Sequence, residues 1–539
     1  MSNTRTIARN SGWFGTETIV SAVVLLVSSI AINRYLGPEK NGYIVYVNYI
    51  ATLVSSLGGF GIPATTRKYM AEFIGMGDRG TARTIFLRTL LLQTGLATLA
   101  TGGFLYWVLG DANPDYKLAA ALLVLSIWPS MVNSIPAQAN MATEDLSTNL
   151  PASVVSIFIY VIAIAATVVF RWGVVGVGAA ALLMRTVDLV VRFFPTLKRV
   201  LAWEATHAHP PGLRKRMTAF AWQSVATMAV ALIVWGRSEI LLLKHLCADI
   251  RQVTFYSLAF TMAEQLLLAA TIFGTAAATT IFVQYARDKS RLPAIAASTF
   301  RYLALISIPL HFIAASLAVP ALLLLYGRKF EDAAMVVTMA PLLCIFKAFI
   351  TPAQSLLQCS ERQRVVIGAT VLAGVVDWGV AWWLIPAHGA VGACIGNGAA
   401  QATAVLMMWA VAIYLFKVKL PWMQVAKIVF ISAVASLTAY EIVLRLAPLN
   451  THEIVLRLAP LTEHEIVLRL APLLGILLGG SAALVVLCAL FYLMRVLEPE
   501  DRARFNILVA MLPKPIARLV NRVLPLLIRP ASEGAVEAG

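Results

Sequence analysis

Apolar runs of membrane-spanning length recur along almost the whole chain, and only short polar loops separate them. A helix needs about 20 mostly apolar residues to cross a bilayer, whereas the strands of membrane barrels are about half that long. The pattern therefore predicts an all-α polytopic membrane protein with about fourteen transmembrane helices. The predicted spans are residues 13–33, 43–64, 86–109, 118–139, 150–170, 174–194, 218–243, 254–282, 302–326, 334–357, 365–385, 389–416, 425–447 and 473–494.

The composition supports this class. Apolar residues make up 59% of the chain and charged residues 13%, against roughly half and a quarter in a soluble domain. The five cysteines lie singly in or beside apolar runs, where cysteine packs as a small hydrophobic residue. Neither a metal site nor a disulfide framework is predicted, and no cofactor is expected.

The net charge of +16 could suggest nucleic acid as a partner, but its distribution points elsewhere. If the N-terminus is cytoplasmic, the loops and tails on that side carry 29 of the 43 Lys and Arg, and the opposite loops carry 12. By the positive-inside rule this bias predicts that both termini are cytoplasmic. The basic charge is then explained by topology, and no nucleic-acid partner is expected.

The chain also contains a weak internal duplication. Pro136-Ala137-Gln138 is matched by Pro352-Ala353-Gln354, and Gly173-Val174-Val175-Gly176 by Gly389-Ala390-Val391-Gly392, at the same separation of 216 residues. The order of the matches predicts two pseudo-symmetric six-helix halves plus two C-terminal helices. Six spans is an even number, so the halves insert in the same orientation, with the substrate between them and alternating access by rocking.

A second repeat is nearly perfect. EIVLRLAPL occurs three times, at Glu441–Leu449, Glu453–Leu461 and Glu465–Leu473, which indicates a recent tandem expansion. Each copy is too short to span a membrane, and it is predicted to form an extracytoplasmic hairpin of amphipathic turns broken at its prolines. The predicted domains are 1–200, 201–416, 417–495 with the repeat loop 441–473, and a basic amphipathic cytoplasmic tail, 496–539.

Local motifs follow one another in a recognisable order. NRYLGPEKNGYIVY follows the first span, TTRKYMAEFIGMGDRG follows the second, and LLYGRKFEDAA, CSERQR and IPAHGAVGAC occur in the second half. In these motifs the chain resembles the polysaccharide-transporter (Wzx-type) branch of the multidrug/oligosaccharidyl-lipid/polysaccharide exporter superfamily, over roughly residues 5–416. The triplicated segment is no part of that pattern.

The resemblance implies a flippase in the bacterial cytoplasmic membrane. Its substrate would be a polyprenyl-diphosphate-linked oligosaccharide, moved to the outer leaflet for cell-surface polysaccharide biosynthesis. Membrane lipids, a polysaccharide polymerase and glycosyltransferases are the partners that the resemblance suggests.

Ionisable residues inside spans point most directly to a site, because each is costly unless it faces a cavity or a partner. Lys347 lies near the middle of span 334–357. Its stem reaches roughly 6 Å, whereas the half-thickness of the hydrocarbon is about 15 Å. A cation there suits a lipid diphosphate or an anionic sugar, although a structural ion pair is the alternative. Arg185 is a second candidate for the same ligand.

Three carboxylates are candidates for a proton- or cation-coupled step: Glu264, Asp377 and Asp188. Asp188 lies three residues after Arg185 on the same helix face, so mutual neutralisation of these two is the preferred interpretation. Arg237 and Glu239, at the end of the seventh span, are predicted to be interfacial.

Two other classes of function stay open. The first is a cation- or proton-coupled multidrug antiporter of the same superfamily, in which acidic residues would dominate the cavity. The second is a membrane glycan polymerase or ligase, which would be expected to have a large outer loop with Arg and His. No nucleotide-binding loop, metal-ligand cluster or nucleophile–base set is visible in the sequence, so the chain is not expected to be an enzyme.

Overall fold

The computed structural model describes residues 2–111, 114–143, 148–204, 210–446 and 464–497. Within these ranges the regular structure is helical and contains no β-strand. The all-α prediction is confirmed.

Sixteen α-helices are described, and short 3-10 segments precede or interrupt several of them. They are α1 (Ser2–Leu57), α2 (Ile62–Gly75), α3 (Arg79–Asp111), α4 (Lys117–Leu125), α5 (Ile127–Ala142), α6 (Asn149–Val169), α7 (Gly173–Leu201), α8 (Leu213–Trp235), α9 (Glu239–Leu246), α10 (Arg251–Arg287), α11 (Leu292–Tyr326), α12 (Ala334–Cys344), α13 (Ile350–Cys359), α14 (Gln363–Phe416), α15 (Trp422–Leu446) and α16 (His464–Leu493).

Eleven helical segments of the described part are long and apolar enough to cross a membrane. Two of them are 55 and 54 residues long, and each overlaps two of the predicted spans. The predicted seventh span, which is not among the eleven, corresponds to α8 and α9. Each predicted span therefore coincides with helix, and the polytopic fold class is confirmed.

The two longest helices bend at glycines. Within α1, Gly37 has φ 75° and ψ 174° and is followed by Pro38. Within α14, Gly389 has φ 51° and ψ −126°. Positive φ values are unfavourable for residues with a Cβ, so each glycine sets the place where the chain reverses between consecutive spans.

The chain divides into two compact units. One comprises Met1–Leu258 with Thr370–Ala400, and the other comprises Ala259–Ala369 with Gln401–Gly539. These boundaries differ from the predicted halves, 1–200 and 201–416. The duplication is a property of the sequence, and the two-half organisation stays a prediction. Gly173 and Gly389, which are equivalent in the duplication, both have positive φ.

Within the first unit, the turn after the first span packs against the start of α10 and the residues just before it. The Thr254 hydroxyl donates a hydrogen bond to the Pro38 carbonyl at 2.6 Å. A Cβ on Gly42 would lie 2.5 Å from the Ile250 carbonyl oxygen, so only glycine allows this approach. Burial raises the pKa of Asp249, but hydrogen bonds from Arg251 and Gln252 outweigh that effect and lower the pKa overall.

The triplicated segment departs from its prediction at one proline. The first copy begins inside α15, and α16 begins at His464 and continues through Pro472 without a break. The predicted break at Pro472 is therefore wrong. Proline is tolerated in membrane helices because neighbouring groups form hydrogen bonds with the backbone groups that the proline leaves unpaired. The second copy, Pro448, Pro460 and the tail after residue 497 lie outside the described residues.

The two equivalent glycines allow a test of the bend in α14. Gly389→Ala is expected to lower thermal stability more than Gly173→Ala does. Both changes place a Cβ at positive φ, at a cost of about 1–2 kcal/mol. At Gly389 the new Cβ would also lie 2.6 Å from Oε1 of Gln252, which accepts the Ala390 backbone N–H at 3.0 Å, whereas at Gly173 nothing lies within 4 Å.

Melting temperatures of the purified variants, followed by size-exclusion chromatography after heating, provide the measurement. Equal losses for Gly389→Ala and Gly173→Ala would show that the contact with Gln252 contributes nothing to stability.

Candidate functional site

Lys347 lies where the tenth span changes its helical winding. The 3-10 segment Ile345–Phe349 interrupts the span between α12 and α13. Such a segment within a helix is uncommon and often marks a hinge. Two prolines, Pro341 and Pro352, lie on either side of it.

Lys347 meets a carboxylate in the same unit. Its Nζ lies 3.2 Å from Oε1 of Glu264 on α10, and the two side chains are 23% and 35% exposed. The same Nζ is 5.6 Å from the centroid of the Phe260 ring. The structure thus brings together two residues that are predicted from the sequence to have separate roles. Both retain exposed surface, so an ion or ligand could reach them.

Asp188 pairs with a different arginine from the one predicted. Its Oδ1 lies 2.7 Å from Nη2 of Arg192, four residues later on α7, and its Oδ2 accepts a hydrogen bond from Asn133 at 2.6 Å. The preferred pairing of Asp188 with Arg185 is therefore wrong, because the i+4 position brings Arg192 over the carboxylate. Arg185 is exposed.

Asp377 belongs to a buried acidic pair. Asp377 on α14 and Glu239 at the first turn of α9 are both 0% exposed, and their carboxyl groups are close enough to interact electrostatically. The prediction that Glu239 is interfacial is wrong, because the break at Gly236 turns α9 so that Glu239 enters the interior of the unit.

Polar groups from α10, from α14 itself and from the turn before α9 surround this pair. Tyr256 on α10 donates a hydrogen bond to Oε2 of Glu239 at 2.7 Å, and the Asn397 amide donates to its Oε1 at 2.7 Å. Ser238 donates to Oδ2 of Asp377 at 3.4 Å. Oδ1 of Asp377 receives no hydrogen bond from the residues that the structure describes.

The role of Glu239 as the partner of Asp377 was not predicted from the sequence. One signal was available: Gly236-Arg237-Ser238-Glu239 places four polar or flexible residues in a row near the end of an apolar run. A helix that breaks inside a membrane exposes backbone groups and needs protein partners there. A break of this kind therefore indicates a buried polar site within the protein as an alternative to a position at the membrane interface.

A buried pair of carboxylates has a restricted chemistry. Two negative charges in a poorly hydrated site repel strongly, so the pair is stable only when a proton or a cation lies between its oxygens. In the part of the chain that the structure describes, no group of three or more His, Cys, Asp or Glu side chains forms a metal site. A proton or a weakly held monovalent cation fits this oxygen-rich setting best.

Comparison with known proteins supports a transporter fold. The structure matches a lipid II flippase MurJ in an inward closed conformation, with a TM-score of 0.67 and 13% identity, over 90% of this chain and 99% of that one. It matches an inward-facing multidrug resistance MATE family transporter of the MOP superfamily with a TM-score of 0.60 and 15% identity, over 74% and 94%. The fold is that of these transporters.

The sequence match to a known protein covers a smaller part of the chain than the structural matches do. Over 141 residues the chain is 29% identical to the inner membrane protein YghQ of Escherichia coli (strain K12). The match covers 24% of this chain and 38% of that protein. No protein-family model matches the chain.

Proposed function

We propose that the chain flips a lipid-linked oligosaccharide from the inner to the outer leaflet of the bacterial cytoplasmic membrane, with both termini cytoplasmic. The observation that carries the proposal is the extent of the likeness to the lipid II flippase. That likeness covers 90% of this chain, compared with 74% for the MATE transporter. The likeness to the lipid II flippase thus extends over more of this chain than the likeness to the multidrug transporter does.

Lys347 supplies the charge that such a substrate requires. A diphosphate carries negative charge into the membrane, and a cation in a partly hydrated site stabilises it. In the absence of substrate, Glu264 at 3.2 Å neutralises Lys347. Binding of the diphosphate at Lys347 then releases Glu264 to other partners. The diphosphate adds negative charge to the site, so the released Glu264 must pair with another cation or take up a proton.

Glu239 and Asp377 provide the coupling step. In one conformation the pair holds a proton or a monovalent cation between its oxygens, and Tyr256, Asn397 and Ser238 orient the carboxyl groups. Loss of that ion leaves two repelling charges, which favours a rearrangement of α9 and α14. A ligand can drive a conformational change only by its different affinity for two states, and this pair offers such a difference.

A cation- or proton-coupled multidrug antiporter is the second candidate. The MATE likeness and the buried acidic pair both favour it, since export against a gradient also needs a coupling ion. The two candidates differ at Lys347, because a cationic drug would be repelled by a lysine in its path. The polysaccharide polymerase and glycosyltransferases are proposed as functional partners only for the flippase.

A strain that lacks the gene separates the two functions. We expect the lipid-linked oligosaccharide to accumulate in the cytoplasmic leaflet and surface polysaccharide to fall, with drug susceptibility unchanged. Leaflet location is measured by the access of an impermeant sugar-oxidising reagent to intact cells and to inverted vesicles. Unchanged surface polysaccharide together with increased drug susceptibility would favour the antiporter and contradict the flippase.

A further inference from the structure

A cavity of about 360 Å³ lies in the first unit, among helix ends that the charge bias predicts to be outside. It falls within the range of small-molecule sites, about 300–1,000 Å³. Aromatic rings and two basic residues provide most of its chemistry. The lining consists of Tyr43, Ile44, Tyr46, Val47, Trp107, Val108, Tyr116, Ala120, Lys244 and His245.

The rings are fixed in place by one another. Tyr43 and Tyr116 stack with centroids 4.5 Å apart and an interplanar angle of 19°. Trp107 stacks on Phe104 at 5.2 Å, and 44% of its surface is exposed. Rigid aromatic side chains with few rotatable bonds offer a flat apolar face and a polar edge at a low entropic cost.

Basic groups complete the lining. Nζ of Lys244 lies 5.1 Å from the centroid of the Tyr43 ring, and His245 is the next residue on α9. Glu39 and Asp115 lie near Tyr116, but neither is among the residues that line the cavity. The described lining therefore combines stacked rings with positive charge and contains no carboxylate.

From this combination we infer that the cavity is a binding site for an acidic saccharide on the outer side. The C–H face of a pyranose ring packs on an aromatic face, tyrosine hydroxyls hydrogen-bond to sugar hydroxyls, and Lys244 pairs with a sugar carboxylate. Because the charge bias predicts these helix ends to be outside, the site would hold a sugar unit that has already crossed the membrane. The inference rests on the proposed function only in the choice of a saccharide.

The test uses the purified full chain in nanodiscs, with digalacturonate and neutral digalactose as probes. Saturation-transfer NMR measures binding, and the fluorescence difference between the wild type and Trp107→Phe isolates the signal of Trp107. We expect Trp107→Ala and Lys244→Gln to weaken digalacturonate binding at least about tenfold. Digalactose should bind more weakly and be insensitive to Lys244→Gln.

Two neighbouring positions supply matched controls. Tyr106 is 85% exposed and Lys117 follows Tyr116, and neither lines the cavity, so Tyr106→Ala and Lys117→Gln should bind digalacturonate as the wild type does. Equal binding by pocket and control variants would overturn the site. If inorganic phosphate competed fully with digalacturonate and Trp107→Ala had no effect on binding, the assignment of the ligand as a saccharide would be overturned. No transport step is involved, so a failure here is distinguishable from a failure of the proposed flippase.

Discussion

Asp377→Asn is expected to reduce transport by about 5- to 150-fold, which corresponds to coupling free energies of about 1–3 kcal/mol. Asparagine keeps the size of the side chain but cannot hold a proton or a cation together with Glu239. When the pair shares one proton, this change leaves the net charge of the site unaltered, so the purified variant should be about as thermally stable as the wild type. Lost transport combined with retained stability is the expected signature of a coupling residue.

Initial transport rates normalised to the amount of membrane-inserted protein give the first quantity, and melting temperature gives the second. Glu239→Gln should behave like Asp377→Asn, since either change breaks the pair. Glu361→Gln, in the loop before α14 where Glu361 is exposed, is the matched control and should change neither quantity. A wild-type rate in Asp377→Asn would remove the acidic pair from the coupling step.

Lys347→Ala is expected to lower normalised transport at least about tenfold, equivalent to roughly 1.4 kcal/mol, and Lys347→Arg should keep part of the activity. Charge is the property that the two basic side chains share, whereas their hydrogen-bond geometry differs. Lys347→Glu should be worse than alanine, because a second negative charge beside Glu264 repels the phosphate as well as failing to bind it. Lys427→Ala, at a lysine of α15 in the same unit, is the control.

Exchange of the two charges separates a binding role from a structural one. The double variant Lys347→Glu with Glu264→Lys keeps an ion pair between the same two positions. If Lys347 only stabilises the fold, the exchange should restore both abundance and transport. If Lys347 binds the substrate anion from its own position on the 3-10 segment, abundance should recover and transport should not. Full recovery of transport in the exchanged variant would contradict the binding role.

The sequence predicted the helices well because their signal is local. An apolar run of about 20 residues has few alternatives to a membrane helix, and Gly37 with Pro38 marks the end of the first span by its own backbone preferences. The helix break that the sequence predicted at Pro472 is wrong for a related reason. Proline breaks helices in water, but the cost inside a membrane bundle depends on neighbours that a sequence does not reveal.

The candidate site was predicted less completely because its pairings join residues far apart in the chain. Glu264 and Lys347 are 83 residues apart, and no local pattern indicates that they meet. Asp377 was recognised as an ionisable residue within a span, but Glu239 was assigned to the interface because it lies near a span end. Only the three-dimensional position of the break at Gly236 shows that it is buried.

The proposed movement of a lipid-linked oligosaccharide is driven by an ion gradient that acts through the acidic pair. It is tested most directly in proteoliposomes that contain the purified chain and a fluorescent polyprenyl-diphosphate oligosaccharide, with an imposed proton or sodium gradient. The measured quantity is the fraction of label that an impermeant external quencher reaches over time. We expect the wild type to redistribute the label when the gradient is applied, and we expect Asp377→Asn not to do so. In the opposite outcome, the wild type leaves the label in place under either gradient and exports a lipophilic cation from the same vesicles in a gradient-dependent way. That result would contradict the proposed flippase.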